Sequence, residues 1–400
     1  MTSDPTTMAP SAAPTLPTSP VQHADATAPA WPEALAAALA LAVAMGFGRF
    51  AFTGMYPLMV RDGAMSVAAG SWAASANYAG YLIGALLAAR IPQARAGLWS
   101  RIALAGTVAS LAALALPISA PWLIAVRGLA GVLSALALVC AAAWLLHVRA
   151  RHDGAPLMFA GVGLGILVSA EVIAMGNLAH WHSLTLWLAL AIAALVLGAL
   201  AWRILQRPAR ASHDHGSATG QTINGATLAP APLIASYGLA GFGYIITATY
   251  LPLFVRDALG QIDPIHVWAV FGLGAAPSCF LWHAVHTRLG TRRAMQWNLG
   301  VQALGVVLPA LSHSAWAYLA SAVLVGGTFM GTVTIAAPAA RRLAHQVKFN
   351  LFAVMTAAYG VGQIVGPLVS SALMHGGGDF SHPLGVAATA LVIAATLCAL

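Results

Sequence analysis

Charged side chains are scarce in this sequence. Asp, Glu, Lys and Arg make up 7% of its 400 residues, and hydrophobic residues make up 60%, whereas soluble globular domains carry about 25% charged residues. The mean hydropathy is +0.81. A chain with so little charge cannot cover a globule with a water-soluble surface. The composition therefore predicts an integral membrane protein that contacts the lipid bilayer directly.

Cysteine is also rare, and each copy lies in an apolar run. The three residues are Cys140, Cys279 and Cys398. In such surroundings a free thiol behaves as a small hydrophobic group. We therefore predict no disulfide bond.

The first 30 residues lack both positive charge and apolar sequence. No Lys or Arg precedes Arg49, and the segment is rich in Thr, Ser, Pro and Ala. A signal peptide needs a positively charged start, and a segment of this composition cannot bury enough apolar surface to fold. Residues 1–30 are predicted to form a disordered tail.

The sequence motifs of membrane-embedded enzymes are missing as well. The chain has no H-E-x-x-H sequence, no Ser or Asp dyad at membrane depth and no catalytic soluble domain. We predict that the protein is not an enzyme, that it binds no metal and that it needs no cofactor.

What the chain does contain is a series of twelve apolar runs, and a transmembrane helix needs about 20 such residues. Six runs precede a polar linker at residues 206–230 and six follow it. The predicted fold is an all-α integral membrane protein with 12 transmembrane helices, arranged as six-helix bundles at 31–205 and 231–400. The runs lie at about 34–56, 71–89, 98–118, 121–146, 155–176, 184–205, 232–254, 266–285, 295–311, 316–337, 351–374 and 383–400.

One stretch of the chain is written twice. Residues 46–62, GFGRFAFTGMYPLMVRD, align without a gap with residues 241–257, GFGYIITATYLPLFVRD, and eight of the seventeen positions are identical. Chance in this composition would give roughly one or two matches. Each copy opens one six-helix half. Since an even number of spans separates them, the halves are predicted to be repeats with the same orientation in the membrane.

The basic residues indicate how the chain is oriented. With a cytoplasmic N-terminus, fourteen of the eighteen Lys and Arg residues lie in or beside cytoplasmic loops. Only Arg61 and Arg256 lie on the outer side of the membrane, and the other two lie inside apolar spans. This is the positive-inside pattern, and it accounts for the net charge of +8 without a nucleic-acid partner. The fourteen are Arg90, Arg95, Arg101, Arg149, Arg151, Arg203, Arg207, Arg210, Arg288, Arg292, Arg293, Arg341, Arg342 and Lys348.

Several motifs resemble those of the major facilitator superfamily. Residues 287–293, TRLGTRR, are similar to the basic loop motif that the family carries between spans two and three and often between spans eight and nine. Thr287 replaces its acid, and the matching residues are Arg288, Gly290, Arg292 and Arg293. Arg127 to Gly131 resembles the R-x-x-x-G motif of span four. The amino-acid sequence of the first two spans is similar to that of the YbfB/YjiJ-like branch.

This resemblance implies a secondary active transporter that works as a monomer. In such a protein one six-helix half rocks against the other around a central site, and the basic loop motif contributes to gating. A second function stays open, a transport-inactive membrane sensor with the same fold. The expected location is the inner membrane of a bacterium, with both termini in the cytoplasm.

Three ionisable residues lie inside apolar spans, where charge is costly and usually serves a function. At 1.5 Å per residue, Arg49, Arg127 and Glu171 lie roughly 10, 9 and 8 Å below the outer ends of their spans. We predict that they form one cluster whose surplus positive charge receives an anionic group of a small organic substrate.

The roles of these residues stay open at this point. Glu171 is either the partner of Arg127 in a structural ion pair or, as the resemblance implies, a carboxylate that couples transport to H+. Arg49 either contacts substrate or extends its charge toward the membrane surface. The second repeat has Tyr244 at the position of Arg49. Polar residues that either line the cavity or join helices by hydrogen bonds are Asn77, Tyr78, Tyr81, Tyr244, Tyr250 and Gln363.

Overall fold

The computed structural model describes residues 31–207, 228–254, 263–374 and 381–399, without the side chains of residues 250–254. The predicted N-terminal tail, most of the predicted linker and the pair Arg256 and Asp257 lie outside the described residues, as does the side chain of Tyr250. Within the described ranges the chain is helical and contains no strand.

The helices follow the apolar runs and often extend beyond them by a turn. We number them α1 to α11 in chain order. They are α1 Trp31–Arg61, α2 Val67–Ala88, α3 Ala96–Leu114, α4 Ala120–Val148, α5 Ala155–Leu178, α6 Ser183–Leu205, α7 Pro230–Phe254, α8 Ile265–Leu311, α9 Ala315–Arg342, α10 Leu351–Met374 and α11 Ser381–Leu397.

Nine of the helices in the described part of the chain are long and apolar enough to cross a membrane. Large apolar side chains point outward from them, among them Leu178, Leu188 and Leu200. Such a surface suits lipid rather than water. The multi-pass membrane protein expected from the composition is thus supported by the helices that the chain forms.

Helix α8 replaces a predicted loop. The sequence predicts two spans at 266–285 and 295–311 with a loop between them, but the chain stays helical from Ile265 to Leu311 except at Gly290. Gly290 has φ 77° and ψ 173°, a conformation that glycine adopts without the steric cost of a Cβ atom. The connection between these two runs is therefore a one-residue break.

Close contacts between glycines bring α1 and α5 together. A Cβ atom on Gly46 would lie 2.4 Å from the backbone of Gly165, so neither helix could approach the other as closely with a larger residue there. In the second half of the chain a Cβ atom on Gly362 of α10 would lie 2.3 Å from the carbonyl oxygen of Gly238 on α7. Each GFG-containing helix thus packs on the helix four places further along the series of apolar runs, α1 on α5 and α7 on α10.

Helices α1 to α6 meet α7 to α11 mainly where α5 packs against α8 and α2 against α10. Residues 133–142 of α4 and 328–337 of α9 are buried without interruption. Both stretches lie near the ends of their helices that carry basic residues. We call this the basic end of the bundle and the other the opposite end. The two sets of helices are packed tightly together at the basic end.

A buried carboxylate organises the basic end. Glu33, on the first turn of α1, is 2% exposed. One of its oxygens accepts a hydrogen bond from Nη2 of Arg149, the other lies 3.0 Å from Nε of Arg151, and Arg207 lies 3.7 Å away. Glu33 thereby joins the ends of three helices, α1, α4 and α6, at one point. This link was not predicted from the sequence.

We expect Glu33→Gln to destabilise the protein strongly. Removing one partner of a buried ion pair leaves the other charge uncompensated, which costs about 3 to 5 kcal/mol. Thermal unfolding of the purified protein in detergent measures the effect as a lower melting temperature. The matched control is Asp153→Asn, an exposed carboxylate near the same end, and an equal effect of both substitutions would contradict the assignment.

Candidate functional site

A cavity of about 340 Å3 lies between the two sets of helices, on the side of Arg49 that faces the opposite end. Helices α1, α2 and α4 form one side of it, and α7, α8 and α10 form the other. Small residues on α2, including Gly70 and Ala74, leave the space open. The polar and aromatic residues that line it are Arg49, Phe50, Phe52, Thr53, Tyr56, Ser71, Ser75, Asn77, Tyr78, Arg127, Thr249 and Trp268.

Arg49 lies at the inner wall of this cavity and is 3% exposed. Its Nη2 donates a hydrogen bond to Oε1 of Gln363 at 2.6 Å, and its guanidinium carbon lies 4.0 Å from the ring centroid of Tyr81. Its Nε and Nη1 atoms are buried and have no hydrogen-bond partner among the described residues. Arg49 therefore retains unused donors beside a cavity.

Arg127 is held by backbone carbonyls. Its Nη1 and Nη2 donate hydrogen bonds to the carbonyl oxygens of Gly48 at 2.7 Å and Arg49 at 3.1 Å. Residues Ala42–Phe50 form a π-helical segment, and carbonyl groups lose their intrahelical partners where a helix changes between π and α bonding. Arg127 satisfies the carbonyls at this change, so it supports the shape of α1 beside Arg49.

Within the part of the chain that the structure describes, no carboxylate balances these two arginines. Among the described residues, no Asp or Glu oxygen lies within 4.0 Å of either guanidinium group. Burying a charge is costly unless the charge is paired or hydrogen-bonded. The rings of Tyr81 and Phe52 lie against the two groups at 4.0 and 4.3 Å, and such cation–π contacts offset part of the cost. The site keeps a surplus of positive charge.

Glu171 does not join the arginines. Its Oε1 atom lies 3.1 Å from Nδ1 of His266 on α8, and 42% of its side chain is exposed. The predicted ion pair between Arg127 and Glu171 is therefore wrong, and so is the predicted cluster of three charges. Two of its members, Arg49 and Arg127, do meet.

The reason lies in the direction of Glu171 around α5. Residues four apart share a helix face, and Gly163, Leu167 and Glu171 form such a row. A Cβ atom on Gly163 would lie 2.4 Å from the backbone of Ala276 on α8. The row therefore faces α8, and Glu171 reaches His266 rather than α4.

Gln363 and Tyr244 lie at the centre of the contact between the two sets of helices. Nε2 of Gln363 donates a hydrogen bond to the hydroxyl oxygen of Tyr244, while Oε1 of Gln363 accepts one from Arg49. The repeat-related positions 49 and 244 thus share one partner. The ring of Tyr244 stacks on Phe329 and Tyr359. Neither Tyr244 nor Gln363 is among the residues that line the cavity, so both join helices behind Arg49.

Asn77 and Tyr78 both line the cavity, as the sequence analysis allowed. Asn77 Nδ2 donates to the carbonyl oxygen of Arg127 at 3.0 Å, so it also joins α2 to α4. The Tyr78 hydroxyl lies 3.4 Å from Oγ1 of Thr249 across the cavity. Of the predicted site residues, the structure brings together Arg49, Arg127, Asn77, Tyr78, Tyr244 and Gln363, and it leaves Glu171 and the loop motif elsewhere.

The basic loop motif lies at the basic end, away from the cavity. Arg288 and Arg293 are exposed on either side of Gly290. Thr291 accepts a hydrogen bond from Nη2 of Arg342 at 2.8 Å, which ties the break in α8 to the end of α9. The predicted contribution of this motif to gating stays a prediction.

Polar contacts at the opposite end link the two sets of helices. Arg61 Nη1 donates to Oδ1 of Asn177 at 2.6 Å, and Asn177 Nδ2 donates to Oδ2 of Asp263 at 2.7 Å. Although burial raises the pKa of the Asp62 carboxyl, hydrogen bonds from Arg61 and Ser183 hold it below its usual value. The first half therefore contacts the second at both its cavity and its opposite end.

The aromatic side chains that line the cavity were not predicted from the sequence. Phe52 and Tyr56 lie three and seven residues after Arg49, a helical spacing that places them on its face. That signal was present in the sequence. Trp268 was not detectable in this way, because its direction depends on how α8 packs against α1.

Comparison with known proteins adds the family. The sequence model of a family described as "uncharacterised MFS-type transporter YbfB" matches residues 41–399. No curated protein matches the chain. The match covers nearly all of the helical part, including both arginines and the cavity. The chain therefore belongs to the YbfB-type family of transporters within the major facilitator superfamily.

Proposed function

We propose that this membrane transporter is a secondary active carrier of a small organic anion. The observation that carries the proposal is the pair Arg49 and Arg127, buried beside a cavity to which none of the described residues contributes a carboxylate. An ionisable residue at this depth commonly marks a substrate or ion pathway. A substrate carboxylate would supply the missing negative charge and use the free donors of Arg49.

The carrier works by alternating access between two halves. The proposed halves are the six-helix bundles at 31–205 and 231–400, joined by a cytoplasmic linker at 206–230, with twelve crossings in all and both termini in the cytoplasm of a bacterium. The doubled sequence and the matching contacts of α1 with α5 and α7 with α10 support this arrangement. The positive-inside pattern supports the orientation. The monomer is the working unit, and its partners are the substrate and the bilayer.

The described state has its cavity toward the opposite end and its helices packed together at the basic end. Movement to the other state is expected to rearrange the hydrogen bond between Arg49 and Gln363, because it joins the two halves at the inner wall of the cavity. An anion that takes over the donors of Arg49 would weaken this bond. Substrate binding and movement of the halves are thereby connected.

We assign coupling to H+ to Glu171, with His266 as its partner in place of Arg127. The two side chains belong to different halves and lie 3.1 Å apart. Both a carboxylate and an imidazole accept protons. Since relative movement of α5 and α8 separates them, the affinity for a proton would differ between the two states, as coupling requires.

Binding and counterflow together test the carrier. Small organic anions are expected to raise the melting temperature of the purified protein by mass action, and neutral analogues of the same size are not. The anion that stabilises most is then used in liposomes, where a carrier exchanges internal for external substrate. Stabilisation without counterflow would favour the transport-inactive sensor, and stabilisation by neutral or cationic compounds alone would contradict the anion.

A further inference from the structure

Among the described residues that line the cavity, the buried side-chain polar atoms without a hydrogen-bond partner are all donors. They are Nε and Nη1 of Arg49, Nε of Arg127 and Nε1 of Trp268. The three side chains are buried, with exposed fractions of 3%, 2% and 1%, and all three line the cavity. Guanidinium and indole groups donate hydrogen bonds and accept none. A ligand that fits must bring acceptors.

The two guanidinium groups form one pole, because Arg127 donates to the backbone of Arg49. Both Nη atoms of Arg127 are occupied by carbonyls of α1, so Arg49 is the guanidinium with nitrogens left for a ligand. The other polar lining groups are neutral, and they are the hydroxyls of Thr53, Tyr56, Ser71, Ser75, Tyr78 and Thr249 and the amide of Asn77. The cavity thus offers one charged end, which suits a single carboxylate better than two.

The remaining walls are flat and aromatic. Phe52 and Tyr56 have nearly parallel rings, 5.8 Å apart at an angle of 11°. Trp268 is fixed by stacking on Phe271 at 4.6 Å and 19°, and Phe50 lies 6.0 Å from it. Rigid aromatic surfaces favour stacked or edge contacts with another ring. A volume of about 340 Å3 is at the lower end of the range for small-ligand sites, roughly 300 to 1,000 Å3.

From these observations, and resting on the proposed anion transport, we propose that the substrate class is an aromatic monocarboxylate. Its carboxylate binds at Arg49, and its ring lies between the wall of Phe52 and Tyr56 and the wall of Trp268. The charged end faces the basic end of the bundle, on the side where Gln363 accepts a hydrogen bond from Arg49.

Five small probes test the class: benzoate, cyclohexanecarboxylate, benzamide, succinate and inorganic phosphate. The dissociation constant of each is measured from the thermal stabilisation of the purified full-length protein. Benzoate is expected to bind most tightly, and cyclohexanecarboxylate about threefold to tenfold more weakly because it lacks a ring that stacks. Benzamide, succinate and phosphate are expected to bind at least about tenfold more weakly than benzoate.

Two variants separate the two recognition elements. Trp268→Leu should reduce the preference for benzoate over cyclohexanecarboxylate and keep the preference for benzoate over benzamide. Arg49→Gln should do the reverse. Each readout is a ratio within one variant, so a general loss of stability does not imitate it. If Trp268→Leu does not fold, Phe52→Leu tests the facing wall in the same way.

The outcomes distinguish this inference from the proposed function. Tightest binding of succinate, phosphate or cyclohexanecarboxylate would overturn the aromatic monocarboxylate and leave anion transport standing. Equal binding of benzoate and benzamide, unaffected by Arg49→Gln, would overturn both. Binding of none of the five probes would overturn the inference as stated.

Discussion

Arg49→Gln is expected to weaken anion binding strongly and to abolish transport, while the melting temperature of the ligand-free protein stays unchanged or rises. A charge-assisted hydrogen bond contributes about 1.5 to 3 kcal/mol, so its loss alone weakens binding by about tenfold to a hundredfold. The loss of the buried positive charge adds to this. Measured in liposomes, transport should fall to the level of protein-free vesicles.

The expected stability follows from the surroundings of Arg49. Among the described residues its guanidinium has no carboxylate partner, and two of its three nitrogens make no hydrogen bond. Replacing even a paired set of buried charges by apolar residues of similar volume is often neutral or stabilising, by about 1 to 4 kcal/mol, so removal of an unpaired buried charge is expected to have the same sign. A residue that only holds the fold together would show the opposite behaviour, with a lower melting temperature and retained binding.

Arg49→Lys and Arg95→Gln make the test specific. Lysine keeps the charge as a point charge without the planar donors of guanidinium, so Arg49→Lys should bind weakly but measurably. Arg95 is exposed at the basic end, and its replacement removes the same charge with no effect on binding. Normal transport by Arg49→Lys and Arg49→Gln would assign Arg49 to structure alone.

Depth in the membrane could be predicted from the sequence, and direction around a helix could not. The rise per residue placed Arg49 and Arg127 at one level, and they meet there. Glu171 was given a similar level, but α5 is apolar on all sides and carries glycines on two faces. Gly165 packs on α1 and Gly163 on α8. Nothing in such a pattern shows which neighbour Glu171 faces.

The π-helical segment of α1 lies beyond sequence reasoning for a related reason. Residues 42–50 have an ordinary apolar composition. Their hydrogen-bonding pattern is supported by Arg127, which donates hydrogen bonds to the carbonyl oxygens of Gly48 and Arg49. That contact comes from another helix, 79 residues away in the chain. The helical runs themselves needed only local information, which is why their bounds came close.

Trp268 and Glu33 show the same division. Both were overlooked because each matters through distant partners: Trp268 through a cavity made by several helices and Glu33 through Arg149 and Arg151. The repeated motif was a better guide to the site than single residues were, because the repeat-related positions 49 and 244 both bind Gln363. Internal repetition carries three-dimensional information that composition lacks.

Glu171→Gln is expected to abolish accumulation driven by a pH gradient and to leave counterflow intact. Glutamine keeps the shape of the side chain and cannot exchange a proton. Counterflow needs substrate binding and movement of the halves, both of which the cavity around Arg49 supports without Glu171. The measurement compares, in the same liposomes, uptake driven by an imposed pH gradient with exchange at equal pH, for the anion that stabilises the protein most.

The partner of Glu171 gives the experiment a second readout. His266 lies on the other half at 3.1 Å, so His266→Gln removes the partner of Glu171 and leaves the carboxylate in place. His266→Gln is therefore expected to keep accumulation, whereas Glu171→Gln loses it. Asp153→Asn makes the same acid-to-amide change at the basic end and should change neither accumulation nor counterflow. Undiminished accumulation by Glu171→Gln would remove the coupling role, and the Glu171–His266 contact would then be a link between the halves and nothing more.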